Sequence, residues 1–366
     1  SAMTVSRRKF LSFAGAAFAG PQLVACNGVD KVATAGVPRS SFDANSTAEE
    51  VTEGIDLSGK LAVVTGCTSG IGYETMRVLA KRGAYVVGTS RTLEKAQAAC
   101  AKTVGITTPV QLELADLDSV VACAESIRGL NTPIDILVCN AGYRGGRNER
   151  QLVSGVEKHF AVNHLGHFVL VNRLLDRLFL AWQGRIVIVA SRAAYRGAPP
   201  GGIDLDDLAM SRDYSDSAAY GQSKLANVLF SLRLGELLRG TRITSNALHP
   251  GLINTDIDRN LKPVTRFGFG LWTLLSGKSI AEGAATSCFV ATSPLLGSTS
   301  GQYFEDCNAV TIQGDSHMHD ARLAERLMHI SEELTANYLV EQERPDWRDF
   351  ENGLRKKTDE SDSERD

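Results

Sequence analysis

Apolar runs rich in β-branched residues begin near Leu61, Tyr85, Val110, Ile134, Ile186, Ile243 and Gln302, and most are separated by stretches whose apolar residues recur at helical spacing. Short runs without polar alternation mark strands buried on both faces, and helical connections between them imply parallel neighbours. The pattern predicts one α/β domain over residues 55–341, a doubly wound, mainly parallel sheet of seven strands covered on both sides. A longer helical stretch is expected from about Gly155 to Leu180. Residues 192–219 break the alternation with Pro199-Pro-Gly-Gly202 and Asp204-Leu-Asp-Asp207, and read as an inserted loop. Tyr195 and Tyr214 within it are expected to shape a substrate mouth. From Asp256 to Lys278 the chain turns apolar and aromatic, with Phe267, Phe269 and Trp272 punctuated by Gly268 and Gly270. This segment fits a small helical lid over an apolar substrate, and equally a helix packed internally or against another subunit.

The first of these strands leads directly into Thr65-Gly-Cys-Thr-Ser-Gly-Ile-Gly72, with a helical pattern from Tyr73 to Arg82 behind it. Glycines let the backbone turn tightly and approach a bound group, and the N-terminus of the next helix offers unpaired N–H groups. Together they make a cradle for a pyrophosphate. The candidate residues are Gly66, Thr68, Ser69, Gly70, Ile71 and Gly72. Their spacing is Gly-x-x-x-Gly-x-Gly, not the Gly-x-Gly-x-x-Gly of many dinucleotide sites, and a turn serving only packing has the same composition.

Tyr220-Gly-Gln-Ser-Lys224 sets a phenol and an amine one helical turn apart. An unperturbed tyrosine loses its proton near pH ~10, so it works as an acid/base at neutral pH only where a cation stabilises the phenolate. Lys224 supplies that cation, and beside a dinucleotide cradle the pair points to hydride transfer assisted by a tyrosine. Ser191 follows the strand ending at Ala190, at a carboxyl strand end where open α/β sheets bind ligands, and is placed to hold a substrate oxygen. Singly, such residues usually cap, bond locally or lie on solvated faces. Their combination carries the chemistry.

These motifs resemble the short-chain dehydrogenase/reductase family from about Leu57 to Cys307. The loop ending at Gly72 matches its cofactor loop, Cys139-Asn-Ala-Gly142 is similar to its Asn-Asn-Ala-Gly segment, and Asn163, Ser191, Tyr220 and Lys224 fall on its catalytic tetrad. Val162-Asn-His-Leu-Gly-His-Phe168, Tyr220-Gly-Gln-Ser-Lys-Leu-Ala-Asn227, His249-Pro-Gly251, Glu282-Gly-Ala284 and Ser300-Gly-Gln-Tyr-Phe-Glu-Asp-Cys307 look like the retinol dehydrogenase and protochlorophyllide reductase branch, although Ala190 stands where that branch commonly carries Ser. The resemblance implies a Rossmann domain in which Lys224 bonds the nicotinamide ribose and Asn163 holds a water linking Lys224 to solvent. It further implies Asp116 and Leu117 near the adenine, Asn140, Ala141 and Gly142 beside the adenosine, and Pro250, Gly251 and Thr255 at the nicotinamide. Members often form dimers or tetramers, so a homo-oligomer is compatible with it.

The second strand ends in Ser90-Arg91, where a site for NAD usually carries an acidic side chain for the adenosine ribose. A hydroxyl and a guanidinium instead suit a 2′-phosphate, which favours NADP over NAD. The alternative is that Arg91 is a solvated cation at a helix start. The favoured function is an NADP-dependent oxidoreductase acting on an alcohol or carbonyl of a small, fairly apolar substrate. A reductase of activated C=C bonds and a non-catalytic, lipid-anchored dinucleotide sensor are the alternatives.

The N-terminus changes the picture of location. Ser6-Arg-Arg-Lys-Phe-Leu11, a small apolar run to Gly20 and Leu23-Val-Ala-Cys26 resemble a twin-arginine export signal ending in a lipoprotein box. Residues 1–26 are read as this signal, with Cys26 lipidated and the protein periplasmic or membrane-anchored; Ser1-Ala2 before Met3 resembles an expression scar. The apolar run is too short for a permanent span. A basic extension retained in the cytoplasm is the alternative. Residues 27–54 read as a tether and 342–366 as a charged tail. A formal charge of −3 argues against nucleic acid, and the seven cysteines and seven histidines lack zinc-site spacing, so no metal is expected.

Overall fold

The computed structural model describes residues 30–145, 148–251 and 278–340. In chain order its elements begin with β1 (Lys31–Ala33), β2 (Leu61–Val64), α1 (Gly70–Lys81), β3 (Tyr85–Ser90), α2 (Leu93–Ala101), β4 (Ile106–Gln111), α3 (Leu117–Arg128) and β5 (Ile136–Cys139). Next come β6 (Leu152–Val153), β7 (Val156–Glu157), α4 (Lys158–Phe160), a π-helical turn (Ala161–Leu165), α5 (Gly166–Phe179), β8 (Gly184–Val189) and α6 (Ala193–Arg196). The last are α7 (Asp216–Leu237), β9 (Ile243–His249), α8 (Ile280–Thr292), β10 (Tyr303–Glu305), β11 (Asn308–Ile312) and α9 (Ala321–Thr335).

The sheet has nine strands rather than seven, in the order β1-β11-β10-β9-β8-β5-β2-β3-β4. The seven expected runs form its parallel part, while β11 and β1 add an antiparallel edge. Both extra strands lack a readable pattern. The chain turns from β10 to β11 through Asp306 and Cys307 at φ 51° and 59°, the positive-φ pair of a hairpin turn that Asn-Gly would have announced. β1 is three residues long and exposed throughout, so it carries no buried stripe. The expected helix from Gly155 likewise starts later, after the β6–β7 hairpin, and is interrupted by the π turn that contains Asn163.

Successive residues of the central strands enter different cores. Ala62, Val64, Ile136 and Val138 pack on one face with α1 and α8, while Leu61, Val63, Leu137 and Cys139 pack on the other with α3 and α5. Period-two alternation between two apolar layers is why these strands read as continuous hydrophobic runs. α7 and α9 extend the second layer toward β9.

Residues 30–54, expected to form a tether, belong to the domain. β1 pairs with β11, the Phe42 ring meets Phe289 edge-on at 5.9 Å, and Ala48 and Val51 are buried against α1 and α8. Glu49 pairs with Arg77 and Lys81, both at 2.7 Å. The Ser- and Ala-rich composition hid this role because only a few spaced apolar residues do the packing. The residues of the expected signal, of the lid short of Lys278, and of the charged tail lie outside the described ones.

The chain runs outward from β2 through β3 to β4, then returns to β5 on the other side of β2 and continues outward through β8. Loops leaving β2 and β5 therefore diverge, opening a crevice at the carboxyl ends of the strands.

Candidate active site

That crevice holds a cavity of about 280 Å³. Its floor is the loop after β2. Gly66 takes φ +72°, and a Cβ there would stand 2.9 Å from the Ala141 Cα; a Cβ on Gly72 would collide with the Gly66 carbonyl oxygen and Asn140 Nδ2. Thr65 knits the loop to the segment after β5, its Oγ1 accepting from the backbone N–H groups of Asn140 and Ala141, both at 2.9 Å. The same hydroxyl donates to His167 Nε2 at 3.0 Å, because His167 Nδ1 donates to the Asn163 carbonyl. Burial pushes His167 down to about 4, so it is neutral at physiological pH. Asn140 Nδ2 donates back to the Thr65 carbonyl at 2.9 Å. At the start of α1, Ser69 makes no side-chain cap, which leaves the first-turn N–H groups free of protein side chains and aimed at the cavity.

Gly66, Thr68, Ser69, Gly70, Ile71 and Gly72 line this cavity, as do Ser90, Arg91, Asn140, Ala141, Gly142, Ser191, Tyr220, Lys224, Pro250 and Gly251. Lys95, exposed on α2 one turn beyond Arg91, adds a second cation at the same end. Asp116 and Leu117 are placed differently from expectation. The Asp116 carboxylate caps α3, accepting from the N–H groups of Asp118 and Ser119, and Leu112, Glu113 and Leu114 form the wall instead. An Asp opening a helix satisfies that helix first. Thr255 lies outside the described residues.

At the other end, Lys224 is buried and its Nζ lies 5.7 Å from the Tyr220 ring centroid. It donates to the Val189 carbonyl at 3.0 Å, and burial pushes it down to about 8. The Arg144 guanidinium stands 5.2 Å from the Tyr220 ring centroid. Asn163 does not line the cavity. Its Oδ1 accepts from the Tyr143 N–H at 2.6 Å, and its Nδ2 donates to the Tyr143 carbonyl and to Ser223 Oγ at 3.0 and 2.9 Å. Ser223 in turn donates to the Tyr220 carbonyl. Asn163 thus ties the segment after β5 to the turn of α7 that carries Tyr220 and Lys224.

The short chain dehydrogenase family model matches residues 60–202. Short-chain dehydrogenase TIC 32 A, chloroplastic, from Brassica napus is 38% identical over 80% of this chain and 94% of its own length. Retinol dehydrogenase 12 from Homo sapiens is 37% identical over 76% and 87%. The chain belongs to the short-chain dehydrogenase family. An uncharacterized protein of known structure from Mycobacterium Paratuberculosis shares the family fold with a TM-score of 0.62 and 31% identity, over 80% of this chain and 98% of that one. A candidate NAD(P) dependent gluconate 5-dehydrogenase from Beutenbergia cavernae, with bound NADP at low occupancy, gives a TM-score of 0.54 and 26% identity over 68% and 95%.

Two features of this short-chain dehydrogenase escaped sequence reasoning. His249 lines the cavity with neither ring nitrogen hydrogen-bonded, and burial pushes it down to about 3, so it presents a neutral imidazole. Beside it, Glu305 is opposite His249 in the β9–β10 register and its side chain is wholly buried. Its carboxylate accepts from Arg192 at 2.8–2.9 Å, Tyr195 at 2.9 Å, Lys31 at 3.1 Å and Tyr303 at 3.3 Å. Burial alone would raise its pKa, but the hydrogen bonds and charge of Arg192 hold it down to about 2. Tyr195 therefore bonds Glu305 and does not line the mouth of the cavity; Tyr214 donates to Asp216 and does not line it either. The Arg immediately after Ser191 was the available signal. Its partner is 113 positions away, beyond any local pattern.

Proposed function

We propose that the protein is an NADP(H)-dependent alcohol dehydrogenase or carbonyl reductase for a fairly apolar substrate, with Tyr220 as its acid/base. The observation that carries the reading is the convergence of Ser191, Tyr220 and Lys224 on one end of the cavity whose other end is the glycine cradle. The residues fit a dinucleotide. Uncapped N–H groups of α1 and the close approach at Gly66 and Gly72 suit a pyrophosphate, while Ser90, Arg91 and Lys95 suit a 2′-phosphate. Bound there, the nicotinamide supplies or accepts the hydride.

Tyr220 gives its phenolic proton to the carbonyl oxygen during reduction, or takes the alcohol proton during oxidation, and Ser191 holds that same oxygen. Lys224 favours the phenolate when charged; burial pushes it down to about 8, so it still carries its proton in most molecules at pH 7. Asn163 positions the turn of α7 and, in this reading, holds the water that links Lys224 to solvent. The NADP in the Beutenbergia cavernae relative supports the choice of cofactor.

Tyr220→Phe is expected to lower carbonyl-dependent NADPH oxidation by ~10³-fold while leaving NADPH affinity within about threefold. Turnover retained in this variant refutes the assignment. Binding without turnover across a carbonyl panel favours the sensor reading, and a saturated ketone product favours C=C reduction. We also read residues 1–26 as an export signal acylated at Cys26. A diacylglyceryl mass on Cys26 in membrane fractions supports that reading, and unmodified cytosolic protein counts against it.

A further inference from the structure

We propose that Cys67 and Cys100 form a redox-active pair that closes into a disulfide under peroxide and deforms the dinucleotide cradle. Cys67 sits inside the glycine loop between Gly66 and Thr68, and Cys100 lies at the end of α2. Their sulfurs converge over Gly88 of β3, where a Cβ would stand 2.8 Å from the Cys67 Sγ and 3.2 Å from the Cys100 Sγ. The missing side chain makes the buried room in which the two sulfurs meet beside the Met76 Sδ. No other glycine among the described residues has two cysteine sulfurs against it in this way. Cys100 is the less buried of the two sulfurs, so it is the one peroxide reaches first and Cys67 is the resolving one.

The chemistry balances with hydrogen peroxide as the oxidant. The Cys100 thiolate takes one oxygen from peroxide and releases hydroxide, leaving a sulfenic acid. The Cys67 sulfur then attacks the Cys100 sulfur, forming the S–S bond as the sulfenic hydroxyl leaves with a proton as water. Two thiols and one peroxide become one disulfide and two waters. A disulfide is roughly 2.0 Å long, shorter than any thiol–thiol hydrogen bond, so closure draws the loop toward α2. The loop has little slack. The Cys67 N–H donates to the Thr89 carbonyl at 2.9 Å, and Gly66 beside it already packs tightly on Ala141. Displacing Cys67 therefore displaces Gly66 and Thr68, which line the cradle.

This consequence rests on the dinucleotide reading of the loop, and the two are separable by experiment. The full chain, first reduced, is treated with hydrogen peroxide, digested without reductant and mapped by mass spectrometry, while NADPH affinity is followed by fluorescence titration. The expected result is a Cys67–Cys100 peptide, with NADPH Kd raised ~10-fold or more and restored by dithiothreitol. Cys100→Ser and, as a second variant, Cys100→Ala should bind NADPH equally well before and after peroxide. Absence of that peptide after full treatment, or a cross-linked protein with unchanged Kd, overturns the proposal. Reduced protein that binds no NADPH overturns the dinucleotide reading and with it the effect on binding, while the peptide map still decides whether the pair reacts.

Discussion

Replacing Glu305 by Ala removes the shared acceptor of four donors, and the structure sets the size of the loss. The carboxyl is held at about 2 against a usual 4.5, which corresponds to about 3 kcal/mol of folded-state stabilisation. Inspection of the partners gives a similar figure. Arg192 and Lys31 have side chains 29% and 41% exposed, so both recover water when the carboxylate goes. Tyr303 is buried and cannot, and an orphaned hydroxyl costs ~1–3 kcal/mol. Breaking a largely buried ion pair at the mild end adds to about the same total. Because the folded pKa lies below the unfolded one, this stability is present above pH 4.5 and lost as pH falls toward 2. Urea unfolding of both proteins should show Glu305→Ala less stable by about 3 kcal/mol at pH 7, with the gap narrowed to roughly half at pH 3. A gap below about 1 kcal/mol at pH 7, or one unchanged at pH 3, refutes the reasoning.

Arg91→Ala combined with Lys95→Ala should weaken NADPH binding by ~10- to 100-fold, since charge-assisted bonds are worth about 1.5–3 kcal/mol, and leave NADH binding unchanged; equal losses for both would show that the cations do not read a 2′-phosphate. Gly72→Ala forces a Cβ onto the Gly66 carbonyl and Asn140, so dinucleotide binding should fall below detection and stability should drop by ~1–3 kcal/mol, whereas wild-type affinity by calorimetry would contradict the close-packed cradle. Phe42→Ala should cost about 1–2 kcal/mol in thermal or urea unfolding, less than a fully buried Phe because the ring is only partly covered. No change in stability would return residues 30–54 to the role of a tether.

The sequence by itself determined the parallel part of the sheet, because strands buried on both faces must be apolar at every position, as in Leu61–Val64 and Ile136–Cys139. It also determined the cradle and the Tyr220–Lys224 pair, since glycine at a tight turn and i,i+4 spacing on a helix are local demands. Tertiary structure alone decided the rest. The edge strand β1 forms because β11 offers it unpaired backbone, which no property of Lys31–Ala33 announces. Asp116 turned to its own helix, Asn163 came to bridge the segment after β5 and helix α7 from inside a π turn, and Glu305 gathered partners from the N-terminal strand, the Ser191 loop and its own strand. Burial, pKa and hydrogen-bond partners are set by what the fold brings within a few ångströms, and for these residues that company comes from across the chain.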